Sequence, residues 1–139
     1  MRCSQKVITK LFGGGNYFNL CSSQGFIIWD KKQPEDFSLA MCEYAWSSFQ
    51  KPAKIWRYSV LTERNKIHPT QKPQQLYEWI FKNYAKPNDK ILDTHLGSGS
   101  SRIAADKANL PFVGCELDPD YFYASVDRFK AYASQQTLF

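Results

Sequence analysis

No run of apolar residues in this chain approaches the roughly 20 that a membrane-spanning helix needs. The opening residues Met1-Arg2-Cys3-Ser4-Gln5-Lys6 hold no apolar signal core. Secretion and helical membrane insertion are therefore not expected, and a cytoplasmic location is. Cysteine is sparse: Cys3, Cys21, Cys42 and Cys115 are scattered, with no C-x-x-C pair and no histidines arranged beside them as metal ligands. That excludes a disulfide framework and a zinc site, and the four thiols read as small apolar fillers in a reduced protein. Internal repeats and flexible linkers are absent too, and no segment is polar or repetitive enough to stay disordered.

What is present is globular. The chain has 139 residues, 43% of them hydrophobic and 16% aromatic, enough for one packed domain but short for an enzyme that must hold both a cofactor and a duplex. A formal net charge of +5 favours an anionic partner through long-range attraction, though many proteins with no polyanion partner carry as much.

Local pattern places the elements. Val7 to Phe12 reads as a strand entering the turn Gly13-Gly14-Gly15-Asn16. Gly25 to Trp29 is a continuous apolar run, the pattern of a strand buried on both faces of a parallel sheet. Phe37 to Phe49 fits neither period. Lys54 to Val60 alternates as a strand, and Leu61 to Lys66 is loop-like. After Pro73, the spacing of Leu76, Trp79, Ile80 and Tyr84 predicts an amphipathic helix. Lys90 to Asp93 is a short strand, Thr94 to Gly99 a turn, Ser100 to Ala108 a small-residue helix, and Pro111 to Glu116 a second strand. Asp120 to Tyr132 is a last helix, with Phe122, Val126, Phe129 and Ala133 on its apolar face. Strand, helix, strand, helix is the unit of an open, largely parallel doubly wound sheet.

In such sheets a ligand sits beyond the carboxyl ends of the strands, where the first strand turns into its helix. Asp93 to Gly99 occupies that place. Gly97 and Gly99 would let the backbone approach a nucleoside, and Glu116, at the end of the next strand, can accept hydrogen bonds from ribose hydroxyls. The turn has no Gly-Lys-Ser/Thr and no full six-residue dinucleotide fingerprint, so a nucleoside without a pyrophosphate fits better than ATP or a nicotinamide cofactor.

Three ordered segments then carry a resemblance. His68-Pro69-Thr70-Gln71-Lys72-Pro73, Asp93-Thr94-His95-Leu96-Gly97-Ser98-Gly99-Ser100 and Gly114-Cys115-Glu116-Leu117-Asp118-Pro119-Asp120-Tyr121 resemble the H-P-T-Q-K-P, D-P-F-x-G-S-G-T and G-x-E-x-D-x-x-Y motifs of the DNA amino-methyltransferases. These are the adenine-N6 and cytosine-N4 enzymes. Phe12 to Phe18, Trp29-Asp30-Lys31 and Glu43-Tyr44-Ala45-Trp46 resemble earlier family segments, so the likeness runs from about Lys6 to about Lys130. It implies an α/β Rossmann-like methyltransferase sheet, mostly parallel and incomplete. One domain covers 1–139, with 1–66 the remainder of the catalytic half and 67–139 the cofactor half.

The implied cofactor is S-adenosylmethionine, held by Asp93, Gly97 and Gly99, with Thr94 and Ser98 in the same loop. Glu116 sits on the ribose, and His68, Thr70, Gln71 and Lys72 complete the pocket. The loop departs from the common pattern at Thr94 and His95, where proline and an aromatic are usual. His95 reads as a hydrogen-bonding residue rather than a catalytic one. The implied substrate is an exocyclic amino group in double-stranded DNA, on adenine first and cytosine as the alternative. Lys51, Lys54 and Arg57, interleaved with Trp56 and Tyr58, are the stretch expected to meet DNA, although such clusters are more often a solvated face.

The family's D/N/S-P-P-Y/W/F tetrapeptide, which positions the flipped base for in-line methyl transfer, does not occur here. Asp118-Pro119-Asp120-Tyr121 lacks the second proline and reads as a helix start. No catalytic residue is therefore assigned. The expectation is a truncated reading frame or domain fragment, with a missing partner segment as the other reading. The resemblance implies that the missing strand is central, so its absence leaves two unpaired edges and makes the chain marginally stable and nearly inactive alone. A noncatalytic module binding S-adenosylmethionine or DNA is the alternative, and an α/β domain for another nucleoside the plainest one.

Overall fold

The computed structural model describes residues 11–62 and 66–136; the start of the first expected strand, Val7 to Lys10, lies outside them. The chain divides into two compact units, 1–62 and 63–139.

The first unit is a four-stranded sheet in the order β1-β3-β2-β4, built from β1 (Leu11–Gly13), β2 (Gly25–Asp30), β3 (Cys42–Ser47) and β4 (Lys54–Arg57). β2 runs parallel to β4 and antiparallel to β3. The stretch that periodicity left open thus holds a strand, stabilised by cross-strand partners that a local pattern cannot register. On one face Ile27 and Trp29 are buried. There the Trp29 ring lies 6.0 Å from that of Trp56, which stacks on Tyr58 at 5.0 Å, and the Trp29 indole N–H donates to the Tyr58 carbonyl at 2.9 Å.

The expectation that Gly25 to Trp29 is buried on both faces is corrected. Phe26 is 38% exposed and Ile28 half-buried, because this unit has only the 3-10 turns Gly15–Tyr17 and Val60–Thr62 among its described residues and no α-helix to cover the second face. Phe26, Ile28, Tyr44 and Trp46 share that face through the pairs Phe26↔Trp46 and Ile28↔Tyr44.

The second unit carries the expected alternation. Helix α1 (Gln74–Tyr84) starts directly after Pro73 and buries Leu76 and Tyr84. β5 (Ile91–Asp93) leads into α2 (Ser100–Lys107), and β6 (Phe112–Gly114) returns parallel to β5. Helices α1 and α2 pack on each other, and the small residues Ala104 and Ala105 of α2 are fully buried. The Lys107 ammonium meets the Glu78 carboxylate at 2.8 Å. Burial pushes the Glu78 carboxyl up, but the hydrogen bonds from Lys107 and Gln74 outweigh it and leave the group below its ordinary value.

α3 (Pro119–Gln136) is longer than periodicity predicts. Its start is capped by Asp118, whose Oδ1 accepts the amides of Asp120 at 2.8 Å and Tyr121 at 3.3 Å, with Pro119 where its missing donor costs nothing. The apolar face is only partly as read: Val126, Phe129 and Ala133 are half-buried, but Phe122 is 37% exposed and Ser125, at 1%, is deeply buried instead.

The described strands thus make two sheets of mixed α/β character. β1 lies at an edge of one, and β5 pairs only with β6 in the other. The reading of the cysteines is also corrected: Cys21, Cys42 and Cys115 are exposed, because they stand on loops and at the first position of β3 rather than on the buried faces. Cys3 lies outside the described residues. No described helix is long and apolar enough to cross a membrane.

Candidate cofactor site

The loop from Asp93 to Gly99 continues the β5–β6 ladder past the strand ends. The Cys115 amide donates to the Asp93 carbonyl at 2.8 Å and the Leu96 amide to the Cys115 carbonyl at 2.9 Å. Asp93 then folds the turn: Oδ1 accepts the His95 amide at 3.0 Å and Oδ2 the Ser101 hydroxyl at 2.5 Å. Gly97 and Gly99 have φ of 52° and 72°, a left-handed backbone that glycine adopts without cost. Gly99 caps α2.

Glu116 ties the loop to the segment after β6. Its Oε2 accepts the Gly97 amide at 2.7 Å and its Oε1 the Asp118 amide at 3.1 Å. The Asp118 amide, then that of Gly97, hold the carboxyl below its ordinary value, against a smaller opposing effect of burial. Each oxygen retains acceptor capacity, because a carboxylate offers about four lone-pair positions.

His68 lies beneath Gly97, its ring carbons 3.7 Å from where a Cβ on that residue would stand. Its ring centroid is 4.3 Å from that of Tyr121. The Thr70 amide donates to His68 Nδ1 at 3.2 Å, so the neutral ring carries its proton on Nε2.

Four separated segments therefore meet at one place: His68 and Thr70, the Asp93–Gly99 loop, Glu116, and the start of α3. Gln71 and Ser98 turn inward. The Gln71 side chain is 7% exposed and accepts the Ile67 amide at 3.1 Å. Ser98 is buried, its hydroxyl 3.1 Å from that of Ser100. Lys72 is half-buried, and Thr94 is exposed with its hydroxyl 2.9 Å from His95 Nδ1.

Lys51, Lys54 and Arg57 belong to the other unit. Lys51 lies over the Phe49 ring at 5.8 Å, Lys54 is half-buried on β4, and Arg57 pairs with Asp30 at 3.3 Å. Arg57 and Lys54, three residues apart on a strand, project from opposite faces.

Sequence reasoning missed Ser101, Ser125 and Arg128. The Arg128 Nη1 donates to the Ser98 carbonyl and to the Ser100 hydroxyl, both at 2.9 Å. Their signal was present in the spacing: Tyr121, Ser125 and Arg128 recur at four and three residues on one face of α3, polar positions that an apolar-face search passes over.

A cradle of this kind suits a nucleoside, and comparison with known proteins narrows it further. The N6/N4 methyltransferase family, described as DNA methylase, matches residues 28–127. The chain belongs to this family. The methylase match takes in β2 to α3, hence both units.

The chain is similar to the type II methyltransferase M1.MboII of Moraxella bovis, 33% identical over 76 residues, 49% of this chain and 29% of that protein. It is similar to M.BglII of Bacillus subtilis at 33% over 73 residues, 50% and 20%. Among solved structures, the M1.HpyAVI–SAM complex aligns with a TM-score of 0.59 and 27% identity, over 74% of this chain and 60% of that one. The cytosine-N4-specific PvuII DNA methyltransferase aligns at 0.63 with 17% identity, over 76% and 50%, a likeness of fold. The chain thus spans 20–29% of those two curated relatives and 50–60% of the two solved ones.

Proposed function

We propose that this chain forms the cofactor-holding part of a DNA amino-methyltransferase, and that the cradle around Gly97 receives S-adenosylmethionine. The observation that carries the reading is Glu116: a carboxylate already anchored by two loop amides, with acceptor capacity left for hydroxyl donors. The residues fit the group. Gly97 has no Cβ to fill the space before the His68 ring, and an anionic acceptor beside two glycines suits a ribose rather than a phosphate. When bound, S-adenosylmethionine supplies an electrophilic methyl on a sulfonium. The chain's own residues bind and orient it: Glu116 takes the ribose, Asp93 fixes the loop through Ser101, and His68 with Thr70 walls the Gly97 side.

In this reading the acceptor is an exocyclic amino group in double-stranded DNA, adenine first. The residues that hold such a base in the family are the tetrapeptide this sequence does not contain. The chain alone is therefore proposed to bind cofactor without efficient methyl transfer. The strand bearing Lys54 and Arg57, with Lys51 before it, is the proposed phosphate-contacting stretch, supported by Arg57 on the same strand face as the exposed Ile55, with Lys54 on the other face.

Isothermal titration of the full chain with S-adenosylmethionine, beside the double variant Asp93→Ala/Glu116→Ala, tests the cofactor reading. Saturable binding lost in the variant is expected. A folded chain that binds nothing refutes it.

A further inference from the structure

Helix α3 meets the loop directly at Ser125 and Arg128, and through His68 at Tyr121. The Tyr121 ring backs His68, which in turn backs Gly97. Ser125 Cβ stands 3.3 Å from where a Cβ on Gly99 would be. Arg128 donates twice from one nitrogen, to the Ser98 carbonyl and the Ser100 hydroxyl.

The geometry of a trans peptide gives the last contact its force. A carbonyl and the following amide point in opposite directions. Holding the Ser98 carbonyl toward Arg128 therefore aims the Gly99 amide at the Leu96 carbonyl, where it bonds at 2.9 Å. Glu116 does the same for the peptide before Gly97 by taking that amide. The two peptide planes that place the loop glycines are thus pinned by one anion and one cation from different elements. Glycine is free to leave the left-handed region, so without either pin the loop would sample other shapes.

We propose that Arg128 is a positioning residue for the cofactor: acting through the Ser98–Gly99 peptide, it holds the loop in its binding-ready shape before any ligand arrives. This rests on the cofactor reading given above. Loss of its charge-assisted bonds is expected to weaken S-adenosylmethionine binding about ten- to a hundredfold. The Ser98 carbonyl is the sharper of the two targets, because Ser100 keeps the Ser98 hydroxyl as a partner at 3.1 Å.

The test is titration of the full chain with S-adenosylmethionine for wild type, Arg128→Ala and Arg128→Lys, each checked for folding by circular dichroism. Arg128→Ala is repeated in dilute guanidinium chloride. The proposal expects the order wild type, lysine, alanine in affinity, with guanidinium restoring the alanine variant and leaving wild type unchanged. Wild-type affinity in either variant overturns it. So does a weakened alanine variant that guanidinium cannot rescue, since that is the mark of a purely structural arginine. Should Arg128→Ala fail to fold, the lysine variant decides, because an ammonium on a flexible stem is less pre-organised than the rigid guanidinium whose one nitrogen meets both oxygens. A wild-type chain that binds nothing overturns the cofactor reading and this inference with it.

Discussion

Replacing the two loop glycines by alanine should separate backbone strain from crowding. Both sit in the left-handed region, where an L-residue costs about 1–2 kcal/mol. At Gly97 the new methyl would meet only the His68 ring, at 3.7 and 3.8 Å, an ordinary contact, so strain is the whole effect. At Gly99 it would meet Ser125 Cβ at 3.3 Å, tighter than normal and on a helix that cannot easily retreat, adding about 1 kcal/mol.

For 139 residues the unfolding entropy is about 0.3 kcal/mol/K. Gly97→Ala should then lower Tm by about 3–7 °C and Gly99→Ala by about 7–10 °C. Gly97→Asn should lose less than Gly97→Ala, because asparagine tolerates this backbone. Thermal melts followed by circular dichroism on the full chain measure all three. Gly97→Ala melting at or above the wild type would refute the left-handed loop, and equal losses at both positions would refute the contact with Ser125.

Because Glu116 is held below its ordinary value of 4.5, its contribution is fully present above that value and disappears as pH falls through the lower folded one. The Tm gap between wild type and Glu116→Gln should therefore be widest near neutrality and close in acid; a constant gap across the titration would contradict the assigned bonds. Gly25→Ala should cost about 1–3 kcal/mol or more, because its Cβ would stand 2.0 Å from the Lys51 carbonyl, and urea unfolding should show it. Lys107→Ala should cost only about 0.2–1 kcal/mol, since the pair with Glu78 is partly solvated at 43% and 36% exposure, and added salt should erase most of the difference.

The second unit was legible because its signals are local. Pro73 and the spacing from Leu76 to Tyr84 fix α1, the small residues after Gly99 fix α2, and Asp118-Pro119 fixes the start of α3. Asp93 at the end of β5, Gly97 in the turn after it and Glu116 just past β6 were readable for the same reason, since each belongs to a local strand–turn pattern. What resisted was non-local. β3 exists through its register with β1 and β2, and no window over Phe37 to Phe49 contains those partners. The burial of Ser125 and the reach of Arg128 depend on where the loop passes α3. Likewise the inward turns of Gln71 and Ser98 follow from backbone donors and hydroxyls that only the folded chain brings near.

The contact of α3 with the loop also sets a rule for sequence length. Only four residues separate Glu116 from Tyr121, and each residue of an α-helix turns the next by about 100°. One insertion or deletion there would carry Tyr121, Ser125 and Arg128 together off the loop by more than a quarter turn. Within this connection identity is cheap and count is dear: Leu117 is 98% exposed and open to almost any side chain, while the spacing around it works as a molecular ruler.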